Sequence, residues 1–168
     1  MKIAVTGPES SGKTSLTNWI SKHFSMFQID EYAREYLLQM KRPYDLDDVI
    51  CIAKEQHRRI VQAPFGNVVV DTESIVSRIW IEEKFGKHFD WIEDQIRNEQ
   101  FDLYILCSPD MPWEEDPLRE NPLDRDRLFE NYQKVLEQMK MKSLISSGPL
   151  IERQKFLVEN MMSFLHAK

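Results

Sequence analysis

The chain has little cysteine. Cys51 and Cys107 are its two cysteines in 168 residues, and they form no C-x-x-C pair. Each lies in an apolar stretch, so both are expected to be buried, reduced and structural. A zinc site needs more ligands at closer spacing, and the four histidines are scattered. Long hydrophobic runs are missing too. No stretch approaches about 18 consecutive apolar residues, so no transmembrane helix and no membrane partner are expected. The N-terminus opens directly on a short β-rich run without an apolar signal-peptide core, so a cytoplasmic location is the expectation. An excess of basic residues is also absent: 22 Lys and Arg stand against 28 Asp and Glu, for a net charge of −6. Proteins that bind nucleic acid through its backbone usually present a basic face, so that partner is not expected. Internal repeats, low-complexity tracts and Gly/Ser linkers are lacking. The length suits one domain over residues 1–168 with a single substantial core.

What is present is an alternation of short apolar runs with longer amphipathic ones. Lys2–Thr6, Met26–Ile29, Asn67–Asp71, Leu103–Cys107 and Leu144–Ser147 read as strands. Lys13–Phe24, Glu31–Met40, Leu46–Gln62, Ile75–Lys84 and Phe89–Asn98 read as helices. Asp45 is the expected N-cap of the third, and its apolar positions are Val49, Ala53, Ile60 and Val61. A later helix carries Leu128, Tyr132, Val135 and Met139. Pro149 opens the last one, whose apolar face holds Leu157, Met161 and Leu165. Such alternation predicts an α/β fold, a three-layer sandwich around a mostly parallel five-stranded sheet. Ligands bind such sheets at the carboxyl ends of their strands. Gly7 onward, Asp30–Glu31, Asp71 and Ser108–Asp110 all follow strands and fall on that edge.

GPESSGKT, residues 7–14, matches G-x-x-x-x-G-K-[ST] at every fixed position, after a strand and before a helix. Glycines let backbone N–H groups turn toward phosphate oxygens, and the helix N-terminus adds its dipole. The candidate nucleotide-binding residues are Gly7, Glu9, Ser10, Ser11, Gly12, Lys13, Thr14 and Ser15. Lys13 is placed to reach the β- and γ-phosphates of ATP, and Thr14 to put a hydroxyl on Mg²⁺. Asp71 ends NVVVD, an apolar run closing on an acid, which places a second carboxylate near the metal. Asp71 also suits a helix N-cap, and the two roles are compatible.

The phosphate motif leaves the acceptor open. A motor or helicase usually has a longer chain, and a GTPase normally carries N-K-x-D, which is absent. Small phosphotransferases pair a phosphate loop with an arginine-bearing lid and an acid near the acceptor. Arg119, Arg125 and Arg127 follow a proline-rich stretch and would form that lid, over about residues 110–127, neutralising developing charge. The bland reading of the stretch is a solvated charge run, since it also holds Glu114, Glu115, Asp116, Glu120, Asp124 and Asp126. IDEYAREY, residues 29–36, is the candidate acceptor side. Asp30 or Glu31 would take the proton of an acceptor hydroxyl, and Arg34 lies three residues beyond Glu31. Its bland reading is a salt-bridged helix start.

GPESSGKT, EYARE, VVVDTE and PWEEDPLR stand in an order that resembles the ribosylnicotinamide kinase domain of NadR-type NAD-biosynthesis proteins, from about residue 2 to residue 127. The resemblance implies phosphorylation of nicotinamide riboside by ATP at its 5′-hydroxyl. By motif it carries Lys13 and Thr14 to nucleotide and Mg²⁺, Glu31, Tyr32 and Arg34 to the acceptor, and Asp71 to the strand-end acid. Trp113, Asp116 and Arg119 match the lid motif, and Gln56 matches with no role that can be derived. Trp113, Tyr32 or Tyr36 would offer an aromatic face to the cationic ring; for Trp113 the alternative is packing of the loop onto the core. Two departures stand out. Relatives of that type carry nucleotidyltransferase and DNA-binding domains for which this length leaves no room, so neither activity is expected. The lid reads D-P-L-R rather than D-G-L-R, and Pro117 would stiffen it. Two rivals remain. One is a kinase for another nucleoside or for a nucleoside monophosphate, whose phosphate Arg34, Arg58 and Arg59 would meet. The other is a nucleotide-binding regulatory ATPase.

Overall fold

The β-rich runs form five strands in a computed structural model that describes residues 1–64 and 66–165, the side chains of 162–165 excepted. In chain order the elements are β1 (Lys2–Thr6), α1 (Lys13–His23), β2 (Phe27–Ile29), α2 (Tyr32–Leu38), α3 (Leu46–Val61) and β3 (Val68–Asp71). They continue with α4 (Ser74–Phe85), α5 (Asp90–Glu99), β4 (Leu103–Cys107), α6 (Arg125–Gln138), β5 (Ser143–Ser146) and α7 (Leu150–Leu165). The sheet order is β2-β3-β1-β4-β5, and every pairing is parallel.

Side chains alternate across each strand, so the sheet has two apolar faces. Ile3, Val5, Val69, Leu103, Ile105 and Cys107 pack against Leu16 and Ile20 of α1 and Leu157 and Met161 of α7. Ala4, Tyr104 and Leu106 face Ile75 and Ile79 of α4, Ile96 of α5, and Leu128, Tyr132, Val135 and Leu136 of α6. Val68 and Val70 meet Ile60 of α3. Helices on both faces of a parallel sheet give the expected three-layer sandwich. Each fully buried branched aliphatic side chain contributes about 1.5–3 kcal/mol.

Local signals set the helix ends. Asp45 caps α3 reciprocally: its carboxylate accepts from Asp48 N, and the Asp48 carboxylate accepts from Asp45 N. Gly86, at φ 58°, ends α4 in the left-handed conformation. Other expectations are corrected. Cys51 is exposed, because the inward stripe of α3 is Val49, Ile52, Ala53, Gln56 and Ile60, and position 51 lies off it. Val61 is exposed for the same reason. Cys107 is buried in β4, and burial lifts its thiol to about 11. Arg125 and Arg127 belong to the first turn of α6, so the irregular lid segment is residues 108–124. The side chain of Leu165 lies outside the described residues.

Register brings the functional segments together. β1 lies between β3 and β4, with Val5 beside Asp71 and Thr6 beside Leu106. The loop after β1 is therefore flanked by Asp71 on one side and Ser108–Asp110 on the other. β2 brings Asp30 and Glu31 in beside β3. Among the described residues no helix is long and apolar enough to cross a membrane.

Candidate active site

Two glycines give the 7–14 loop its shape. Gly7 has φ 130° and Gly12 φ 79°. A Cβ on Gly7 would stand 2.8 Å from the Cys107 carbonyl oxygen, and one on Gly12 would stand 2.7 Å from Met111 Sδ. No side chain fits at either place without displacing its neighbour. Ser11 Oγ and Lys13 Nζ both donate to the Pro8 carbonyl, at 2.7 and 2.8 Å, which curls the loop on itself. Gly12 leads into α1 without a side-chain cap, and the first turn holds no acidic residue. The loop thus ends on unsatisfied N–H groups at a helix N-terminus, an arrangement that attracts phosphate.

Beside the loop stands Asp71, 2% exposed, with Oδ1 buried and unpartnered. Burial lifts its carboxyl above the usual aspartate range, opposed by a hydrogen bond from Thr14 and the charge of Lys13. A buried, orphaned carboxylate oxygen next to a threonine hydroxyl is a donor set that fits Mg²⁺. The helix-capping role suggested for Asp71 belongs instead to Glu73, whose Oε2 accepts from Ile75 N while Oε1 accepts from Thr6 Oγ1 at 2.7 Å. Burial, aided by the nearby Glu99, raises the Glu73 carboxyl above the usual glutamate range. Between the two acids Thr72 holds φ 64°, a strained value for a β-branched residue.

Gln56 supports that strained turn. Its Nε2 donates to the Thr72 carbonyl at 3.0 Å and its Oε1 accepts from Tyr32 N at 2.8 Å. The side chain is buried and ties α2 to the end of β3. It does not line the cavity, so the substrate contact expected of it is corrected to a positioning role.

A cavity of roughly 540 Å³ opens in front of the loop. It is lined by residues 7–15, by Glu31, Arg34 and Leu37, and by Val76, Ile79 and Trp80 of α4 and Leu128 and Tyr132 of α6. Burial raises the Glu31 carboxyl above its usual range, and the Asp71 charge adds to this, while Lys13 and Arg34 pull the other way. Asp30 is exposed and accepts from Gln28 Nε2 at 2.5 Å, outside the cavity. The aromatic residues expected there lie elsewhere. Tyr32 packs under the Arg59 guanidinium at 4.2 Å and meets Tyr36 edge-on, and Trp113 sits near Arg125 at 5.7 Å. Trp80 and Tyr132 take their place.

Lid residues complete the cavity lining. Asp116, Pro117, Leu118 and Arg119 form a turn in which Arg119 N donates to the Asp116 carbonyl and Leu118 N to Asp116 Oδ1. Pro117 occupies the second position of that turn, where its fixed φ is favourable and no N–H is required. Arg34 pairs with Asp116 at 2.6 Å, which holds the Asp116 carboxyl below its usual range. Lys84 pairs with Glu120 at 2.7 Å, and Tyr44 OH, which accepts from Trp80 Nε1, donates to the same carboxylate. Glu9 accepts from the backbone N–H groups of Glu120 and Asn121. Arg119 lines the cavity and donates to the Glu114 carbonyl at 2.6 Å, with Ser10 Oγ at 3.4 Å. Arg125 does not face the cavity. It donates to the carbonyls of Ser10 and Met111 and pins the loop to the lid base. Arg127 lines the cavity and pairs with Glu83 at 2.7 Å.

A family model described as an AAA domain matches residues 2–153. The chain belongs to that family. The trifunctional NAD biosynthesis/regulator protein NadR of Salmonella typhimurium is 26% identical over 174 residues, covering 99% of this chain and 38% of that protein. The chain thus spans well under half of that curated relative. A crystal structure of NadR protein in complex with NR superposes with TM-score 0.82 at 23% identity, covering 99% of this chain and 52% of that one. A deoxyadenosine kinase from M. mycoides superposes with TM-score 0.71 at 16% identity, over 98% of this chain and 100% of that one. Both likenesses are of fold.

Several residues of this AAA domain were not singled out from sequence. Trp80 reads as a helix position in an apolar run, and Tyr132 reads as core. Only the placement of α4 and α6 against one cavity gives them a second face. Arg153 is the largest omission. It reads as a surface charge in a C-terminal helix, yet it is 1% exposed behind the phosphate loop.

Proposed function

We propose that this domain is an ATP-dependent small-molecule kinase that phosphorylates the 5′-hydroxyl of nicotinamide riboside. The observation that carries the reading is one cavity shared by a phosphate cradle, the Glu31 carboxylate and an aromatic wall. The acceptor oxygen attacks the γ-phosphorus, the bond to the β,γ-bridging oxygen breaks, and ADP leaves. Glu31 takes the hydroxyl proton. Its raised affinity for protons makes it a stronger base than an ordinary carboxylate. Lys13 and Arg119 meet the charge on the transferring group. Thr14 and Asp71 would hold Mg²⁺, which when bound neutralises phosphate charge.

The cavity also suits a flat cation. Trp80 and Tyr132 supply aromatic surface, and Glu31 supplies negative charge. The monophosphate alternative lacks support. Arg58 and Arg59 pair with Glu55 and Glu35 and do not line the cavity, and Arg34 is engaged by Asp116. The regulatory alternative leaves the aromatic lining beside the phosphate loop without a use.

The test is Mg²⁺-dependent ADP production with nicotinamide riboside, common nucleosides and nucleoside monophosphates, using Lys13→Ala as the blank. Turnover confined to nicotinamide riboside is expected. Turnover with a different acceptor would keep the phosphotransfer and remove the substrate. Nucleotide binding with no turnover on any acceptor would favour a regulator.

A further inference from the structure

The Arg153 guanidinium, contributed by α7, is 1% exposed and meets three chain segments at once. Nη1 donates to the Ser11 carbonyl at 2.8 Å, inside the phosphate loop. Nη2 donates to the Ser108 carbonyl at 2.9 Å and to Asp110 Oδ1, at the end of β4. Nε donates to the Gly148 carbonyl at 2.7 Å, in the turn between β5 and α7. Asp110 closes the cluster, accepting from Gly148 N at 2.6 Å. Nη1 also lies 3.8 Å from the point where a Cβ of Gly12 would stand, directly behind the loop.

The bond to Ser11 has a directional consequence. A trans peptide is planar, so its C=O and N–H point opposite ways. Drawing the Ser11 carbonyl back toward Arg153 turns the N–H of the same peptide, that of Gly12, away from Arg153 and toward the front of the loop. Gly12 tolerates this because its φ of 79° costs glycine little. The guanidinium also leaves a fixed positive charge behind the cradle, facing one carboxylate that is itself partly exposed. We infer that Arg153 is the positioning residue of the phosphate cradle: it sets the Ser11–Gly12 peptide from behind, and through it nucleotide affinity, without touching either substrate. Lysine cannot replace it, since one ammonium cannot span three carbonyls that a planar fork reaches together.

The inference rests on the nucleotide-binding reading of the loop, and its test separates the two. Wild type, Arg153→Lys and Asp110→Asn are titrated with Mg²⁺ and the non-hydrolysable analogue AMP-PNP by calorimetry. Their KM for nicotinamide riboside is measured at saturating ATP. Arg153→Lys is expected to bind AMP-PNP about tenfold more weakly or worse, because charged hydrogen bonds are lost. Its KM for nicotinamide riboside should stay within about twofold of wild type. Asp110→Asn should move nucleotide affinity the same way by less. Guanidinium chloride at low millimolar concentration should partly restore AMP-PNP binding to Arg153→Ala, while sodium chloride should not. Wild-type affinity in Arg153→Lys would overturn the inference. So would equal losses in both substrates alongside a lowered melting temperature, which mark a purely structural role. If the Arg153 variants do not fold, Asp110→Asn decides, and unchanged affinity in it overturns the inference. Wild type that binds no AMP-PNP would remove the nucleotide reading and this inference with it.

Discussion

The phosphate loop is held from behind by the buried Arg153 and packs Gly7 against the Cys107 carbonyl. The lid is bonded to that loop at Glu9 and tied to the helices by Arg34–Asp116 and Lys84–Glu120, pairs with partly exposed side chains. Buried hydrogen bonds to charged groups are worth about 1.5–3 kcal/mol. Exposed ion pairs are worth about 0.2–1 kcal/mol and weaken in salt. One wall is therefore preorganised, and the other is more weakly held. A transferase needs both, since phosphate must be gripped in one geometry while the acceptor enters and the product leaves.

The largest effect should come from the rigid wall. Lys13→Ala is expected to lower kcat with nicotinamide riboside about 10³-fold, the scale for losing a preorganised charge at a transferring group. The Lys13 ammonium donates to the Pro8 carbonyl, so the variant also relaxes the loop. A loss of tenfold or less in steady-state kinetics would mean that the cradle binds nucleotide without acting on it.

Next comes Glu31, which lines the same cavity. Glu31→Gln should cost about 10²-fold in kcat, the lower scale for a general base. The sign with pH follows from its raised carboxyl. The base form is lost as pH falls through that raised value, so the acid limb of the wild-type rate should lie above the ordinary glutamate range. A pH–rate profile that stays flat down to that range would assign the proton elsewhere.

Sequence legibility divides along the same line. The phosphate loop was readable because its chemistry is local: eight consecutive residues carry the glycines, the lysine and the threonine. The sheet was readable because its strands are short apolar runs, and topology then brought Asp71 and Glu31 to the loop. The acceptor wall was not readable. Trp80 lies in a helix whose period says only that it is helical, and its role depends on α4 standing opposite α6. Arg153 was invisible for a related reason, since a charged residue in an amphipathic C-terminal helix normally faces water. Cys51 failed in the opposite sense, because its apolar neighbours belong to a different stripe of α3. Asp30 and Glu31 looked equivalent until the start of α2 turned one outward and the other inward.

Trp80→Leu tests the acceptor wall. It keeps an apolar side chain, though a smaller one, and removes the π face and the donor to Tyr44. Loss of a cation–π contact of about 0.5–2 kcal/mol predicts a rise in KM for nicotinamide riboside of roughly two- to thirtyfold. AMP-PNP affinity should hardly change. Equal losses for both substrates would mean that Trp80 supports the fold rather than the ring.

The smallest effect should come from the lid. Asp116→Asn keeps an oxygen to accept from Leu118 N and removes the charge facing Arg34. Because that pair depresses the Asp116 carboxyl in the closed lid, its contribution is present above the usual aspartate range and is lost as pH falls through the depressed value. Lid opening can be read by the rate of limited proteolysis across residues 112–121, which follows the open population when closing is fast. The variant should be cut about two- to fivefold faster than wild type at low salt. Near about 1 M salt the difference should vanish, because the Debye length there is only about 3 Å. Lowering the pH should bring wild type toward the variant. Equal resistance under all conditions would shift the hold on the lid to Glu9 and the backbone N–H groups of Glu120 and Asn121, which would make the lid an extension of the phosphate loop.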